Sequence, residues 1–168
     1  MGSSRTRRRR LLFASSAPLM FLLSLNAMAQ TSAPRVTLSG TVGSAVAGSD
    51  ALVDAMFEIT LPNGYHVNSD APLDEFLKPT RLLVDVPDGA TVASIRFPEA
   101  LMFATQFSEQ PLAVYEHSFR IEVALSVADL APGDYPMQVT LKYQACSDRI
   151  CYPPASRQTE VVLSIDEG

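Results

Sequence analysis

The sequence predicts an all-β domain, an immunoglobulin-like antiparallel β-sandwich. Three observations predict it. Apolar residues recur with period two in several separate segments. Turn-forming clusters interrupt those segments every 8–12 residues or so, roughly the spacing of a sandwich built from about seven to nine short strands. No segment carries a long helical period, and twelve prolines punctuate the chain. A jelly roll or a small barrel is the alternative way to close the same strands.

A leader precedes the first strand. Arg5 and the run 7–10 are followed by an apolar, uncharged stretch over 11–25 and then by Ala27-Met28-Ala29. That order is the n-region, h-region and small-x-small site of a secretory signal peptide. The h-region, at about fifteen residues, falls short of the roughly twenty that a bilayer span needs. Residues 1–29 are therefore expected to be a signal peptide and residues 30–168 the domain. An uncleaved anchor is the alternative, and the arginine run leaves general and twin-arginine export both open. The full chain has 13 basic and 18 acidic residues, net −5. Five of the arginines and none of the acids precede residue 30, which leaves eight basic against eighteen acidic residues, net −10. No basic patch remains, which argues against nucleic acid as a partner and against anionic membrane surfaces. No second apolar run of eighteen residues follows, so no stable membrane insertion is expected after cleavage.

Val36, Leu38, Gly40 and Val42 alternate with polar residues and predict the first strand. Residues 45–50 are small and read as a loop. Val53, Ala55, Phe57, Ile59 and Leu61 predict a half-buried second strand, ended by the turn Pro62-Asn63-Gly64. Tyr65 to Asn68 begins another extended piece, and Leu73 to Leu77 reads as one helical turn stopped by Pro79. Arg81 to Val86 and Thr91 to Phe97 are β-rich, separated by Pro87-Asp88-Gly89. Residues 98–112 lack a period but carry Leu101, Met102, Phe103 and Phe107, so this loop must pack down or cover something. From Tyr115 to Val127 every odd position except His117 is apolar, which predicts one long strand. Leu130-Ala131-Pro132-Gly133-Asp134-Tyr135 has the pattern of a sandwich corner whose tyrosine hydroxyl ties back to the backbone. Alternation resumes from Tyr135 to Ala145, and Glu160 to Ile165 supplies the last strand.

Two cysteines, Cys146 and Cys151, stand four residues apart in Gln144-Ala145-Cys146-Ser147-Asp148-Arg149-Ile150-Cys151-Tyr152-Pro153-Pro154. Export places them where they can pair, and four intervening residues suffice for a turn. A bridge closing so short a loop contributes only about 2 kcal/mol through chain entropy. Strand parity puts Cys146 with Gln138, Thr140, Lys142 and Gln144, on the side away from the core. A surface-facing, short-loop disulfide is the reducible kind. Three readings stand at this point: a redox pair, an inert staple, and a metal site. The metal reading draws on Cys146, Cys151, His66 and His117 for zinc, or on cysteine with Met102 for copper(I), but lacks a close His pair.

Gly64-Tyr65-His66-Val67-Asn68-Ser69, Phe76-Leu77-Lys78-Pro79-Thr80, Val114-Tyr115-Glu116 and the block from Tyr143 through Cys146 and Cys151 to Pro154 together resemble the N-terminal periplasmic domain of the DsbD family. The likeness covers roughly residues 36–166. It implies an immunoglobulin-like fold with extra strands and a cysteine pair that cycles between dithiol and disulfide. It implies electrons received from a membrane electron donor and passed to thioredoxin-like periplasmic proteins, including those of cytochrome maturation, with no cofactor and no metal. By position, Cys151 would form the mixed disulfide and Cys146 would resolve it. A shielding phenylalanine is implied in the apolar loop, Phe107 first and Phe103 second. His66 and Asn68 stand where some members carry tyrosines, and Tyr115 lies in a matching block. Arg149, between the cysteines, can favour a thiolate, with Asp148 opposing it. The pair is one residue closer than in some members. The chain reads as a stand-alone module that needs a separate electron donor. The rival functions are a β-sandwich binding module with an inert bridge and a periplasmic copper chaperone.

Overall fold

Alternating apolar and polar residues produce strands with one buried face, and these strands close on a shared core. The computed structural model describes residues 33–50, 52–105 and 110–168; the expected signal peptide and Phe107 lie outside them. Among the described residues twelve strands form three four-stranded sheets. The first sheet has β1 (Thr37–Val42), β3 (Leu52–Thr60), β9 (Ser118–Ser126) and β6 (Thr91–Arg96), in that order. The second has β2 (Ser44–Val46), β12 (Ala155–Asp166), β10 (Gly133–Tyr143) and β5 (Arg81–Asp85). The third is small: β11 (Ala145–Cys146), β4 (His66–Asn68), β8 (Leu112–Glu116) and β7 (Leu101–Phe103). The architecture is the immunoglobulin-like sandwich, with this third sheet added.

Phe57, Ile59, Ile121 and Leu125 from the first sheet meet Met137, Val139, Leu141 and Leu163 from the second in one buried core. Gly40 lies opposite Phe57 in the β1–β3 register. A Cβ there would come within 2.5 Å of two carbons of the Phe57 ring and 3.2 Å of Val161, so glycine leaves the ring its place. The Tyr135 hydroxyl donates to the Ala131 carbonyl at 2.8 Å, as the corner pattern predicted.

Three local expectations are corrected. The small, Gly-containing stretch after residue 44 is not all loop, since Ser44–Val46 pairs parallel with Ser164–Asp166 at the sheet edge. Residues 73–77 form no helical turn. Asp74 instead closes a tight turn, its carboxylate accepting from the Phe76 N–H at 2.8 Å and its carbonyl from the Leu77 N–H at 3.2 Å. The long strand over 115–127 is two strands, broken at His117, whose φ of 55° lies in the left-handed region. There the chain passes from the third sheet to the first, and the His117 carbonyl accepts from the Leu61 N–H at 2.7 Å.

Candidate functional site

The cysteine block follows from the end of β10. After Tyr143 the chain leaves the second sheet and β11 pairs with β4, matching Ala145 with Val67 and Cys146 with His66. It then turns back on itself. Ser147 N–H donates to the Ile150 carbonyl at 2.8 Å, and Tyr152 N–H donates to the Ala145 carbonyl at 2.8 Å. Cys146 and Cys151 are thus directly opposed between the two hydrogen-bonded pairs, the closer kind of antiparallel pair. They form a disulfide. The Ser147 hydroxyl oxygen accepts from the Arg149 and Ile150 N–H groups, both at 3.2 Å, and shapes the turn.

The two sulfur-bearing residues differ in exposure. Cys146 is 1% exposed, whereas Cys151 is exposed. The expectation that Cys146 faces the surface is corrected. Parity tells only that it points away from the main core; on that side it sits among the same-face side chains of the third sheet, to which it belongs. Cross-strand partners share a face, so Cys146, His66 and Glu116 lie together on one side of this sheet. Asn68, Val114, Leu112, Leu101 and Phe103 fall on the same side by register. Ala145, Val67 and Tyr115 line the other side, which joins the core.

A cavity of about 280 Å³ opens on the disulfide face. Both cysteines, His66, Phe103, Leu77 and Leu112 line it, with Asp74, Asp148, Arg149 and Ile150 at the loops around them. The Phe103 ring packs on the His66 ring, centroids 4.7 Å apart at 40°. His66 is 3% exposed, and its Nε2 has no hydrogen-bond partner. Burial holds its imidazole below the ordinary value of 6.5, opposed in part by the Glu116 carboxylate. Asn68, fully buried, acts through its Nδ2, which donates to the Lys78 carbonyl at 3.0 Å and to Gln144 Oε1 at 3.4 Å. Gln144 Nε2 in turn donates to the Tyr152 carbonyl at 3.1 Å. This chain of amides ties β4, the 70–79 loop and the cysteine hairpin to one another.

Of the residues singled out from sequence, Cys146, Cys151, His66, Phe103 and Arg149 line one cavity, and Asn68 braces it. Arg149 is solvent-exposed and lies 3.9 Å from Asp148, an ion pair of little energetic weight. Tyr115 is on the opposite face. Its ring stacks between Phe97 and Phe119, and its hydroxyl donates to Asp70. His117 is exposed at the corner between sheets, and Met102 is exposed on β7. Among the described residues no group of three or more His, Cys, Asp or Glu is arranged to hold a metal ion. Sequence reasoning missed Gln144, Leu77 and Asp74. A polar residue two positions before Cys146, on the same strand parity, was a visible signal for Gln144, while the other two come from a loop without periodicity. Among the described residues no helix is long and apolar enough to cross a membrane.

Comparison with known proteins bears on the same residues. A family model described as "Thiol:disulfide interchange protein DsbD, N-terminal" matches residues 41–163. No curated protein matches the chain. Among solved structures, the N-terminal periplasmic domain of ScsB from Proteus mirabilis is 13% identical with a TM-score of 0.53, over 74% of this chain and 45% of that one. The DsbD N-terminal domain of Neisseria meningitidis in its reduced form is 22% identical with a TM-score of 0.38, over 68% of this chain and 79% of that one. The DsbD N-terminal domain from the same organism, in complex with the PilB N-terminal domain, is 20% identical with a TM-score of 0.42, over 73% of this chain and 80% of that one.

Proposed function

The chain belongs to the DsbD N-terminal domain family, and on that premise we propose that it is a periplasmic thiol–disulfide interchange module acting through Cys146 and Cys151. The observation that carries the reading is the unequal exposure of a bonded pair: Cys151 is within reach of solvent, and Cys146 is 1% exposed behind it. Disulfide exchange requires an accessible sulfur in line with a leaving sulfur. An incoming thiolate attacks Cys151 Sγ. A bond forms between the partner sulfur and Cys151, the Cys146–Cys151 bond breaks, and its electron pair leaves on Cys146 Sγ. Attack by the partner thiolate on Cys146 Sγ is blocked by burial.

A second thiolate of the partner then attacks its own sulfur in the mixed disulfide and releases Cys151. The module is left as a dithiol carrying two electrons and the partner as a disulfide. In the forward direction Cys151 attacks a downstream protein disulfide, and Cys146 resolves the adduct. Thioredoxin-like proteins suit both ends, because they present one exposed sulfur of a closely spaced pair. The donor is a membrane electron carrier with such a domain on the periplasmic side. Phe103, on β7 and packed on His66 over the cavity, supplies an apolar shield; Phe107 lies outside the described residues. Arg149 and Asp148 at the rim place opposite charges near Cys151.

Trapping tests the assignment. The oxidised protein is mixed with a reduced thioredoxin whose resolving cysteine has been replaced, and adducts are mapped by peptide mass. The expected adduct is on Cys151, it persists in Cys146→Ser pretreated with glutathione disulfide, and Cys151→Ser gives none. Adducts confined to Cys146 refute the order of attack. A wild-type bridge that resists glutathione down to about −300 mV is a staple, and the proposal then fails.

A further inference from the structure

We propose that His66 is the proton acceptor for Cys146, taking the thiol proton at Nε2 when Cys146 resolves a mixed disulfide on Cys151. The inference rests on the exchange reading above and adds to it the group that makes the buried sulfur reactive. Cys146 has a difficulty that Cys151 does not. At 1% exposure its thiolate is poorly solvated, and an apolar setting favours the neutral thiol. Only the thiolate attacks. Something next to it must remove the proton as the bond forms.

His66 is the residue directly opposite Cys146 on β4. The two side chains share a face and line the same cavity. His66 is almost fully buried, and its Nε2 is unpartnered. A buried polar atom without a partner is costly, so its presence beside a reacting group calls for a role. The ring is held by Phe103 at 4.7 Å, which keeps it in the cavity. Among the described residues, four charged groups come from the elements packed around it. Glu116 comes from β8, Asp74 from the 70–79 loop, and Asp148 and Arg149 from the cysteine turn, while β7 brings only the uncharged Phe103. Desolvation outweighs Glu116 and holds the ring neutral around pH 7, the form that accepts a proton.

The step balances. Cys151 is in a mixed disulfide with a partner sulfur, and Cys146 is a thiol. The proton passes from Cys146 Sγ to His66 Nε2. Cys146 Sγ bonds to Cys151 Sγ, and the partner leaves as a thiolate. That thiolate is protonated from the imidazolium or from water, which returns His66 to neutrality. In the opposite direction the imidazolium hands the proton to the departing Cys146 thiolate.

Glutathione disulfide is the probe. Reduced wild type and His66→Gln are mixed with it, quenched in acid at intervals, and the Cys151–glutathione adduct is followed by mass across pH 5–10. The wild type should resolve its adduct at a rate that levels off near neutrality and falls where the ring protonates. His66→Gln should resolve it at least about tenfold more slowly at pH 7. Its rate should climb with pH and meet the wild type where an unaided thiol ionises, about pH 8.5 or above. Equal rates and equal profiles overturn the inference while leaving exchange intact. If His66→Gln does not fold, the wild-type profile decides alone: a rate that keeps rising tenfold per pH unit into the thiol range overturns it. A wild type that forms neither adduct nor disulfide sinks both this inference and the exchange reading.

Discussion

Removing the Phe103 ring should speed attack on the disulfide, and the structure sets the size of the effect. Phe103 is half-buried at the cavity, with its ring 4.7 Å from that of His66. If a partner must lift this ring to reach Cys151, the opening loses the aromatic contact and the apolar area beneath it. The pair contact alone is about 0.5–1.5 kcal/mol. Half the burial of a phenylalanine adds roughly 1 kcal/mol. The two together give a gating cost of about 1.5–2.5 kcal/mol, roughly a 10–70-fold change in rate. Phe103→Ala should therefore be reduced by glutathione about 10–70 times faster than wild type, at matched pH. The chain has no tryptophan, so quenched alkylation with mass detection is the suitable assay. The same ring contributes to stability, and the variant should unfold at lower urea. A rate equal to wild type, with folding intact, would show that Phe103 packs against His66 without controlling entry.

Two further outcomes follow from the core. Gly40→Ala forces a methyl group into the Phe57 ring and should cost about 1–3 kcal/mol in urea unfolding. A variant as stable as wild type would refute that contact, since the loss of glycine freedom on its own works in the stabilising direction. The second outcome concerns alkaline pH. Burial and the Asp70 contact push the Tyr115 hydroxyl up, and burial pushes Tyr143 up against the opposing Arg157. Both are neutral in the fold, so their contribution is fully present below pH 10 and is lost as pH rises past it. Denaturation midpoints should fall above pH 10, less steeply in Tyr115→Phe; identical slopes would count against the shift at Tyr115.

What the sequence disclosed depended on segment length. β3, β9 and β10 run for nine to eleven residues, long enough for period two to declare itself. The Tyr135 corner was legible because proline, glycine and tyrosine each occupy a position with its own backbone demand. The third sheet was not legible. Its strands have two to five residues, too few to show a period. The break at His117 was hidden because parity runs through it unchanged, Tyr115 and Phe119 both being buried. The cysteine hairpin was read from spacing, yet the burial of Cys146 was not. Alternation reports which way a side chain points and says nothing about a separate sheet arriving from elsewhere in the chain. That the 101–107 region packs down or covers something was expected from its apolarity, a shielding ring from the family resemblance, and among the described residues Phe103 on β7 lines the cavity.

The bridge closes a ring of only six residues, with a sequence separation of five, and the hairpin around it is held independently. The backbone hydrogen bonds of Tyr152 and Ser147 and the Gln144 bond to Tyr152 hold the hairpin without using either sulfur. Opening the bond releases almost no slack into the chain. On the interchange reading, each cycle asks little rearrangement of the fold, much as a switch contact moves inside a fixed housing.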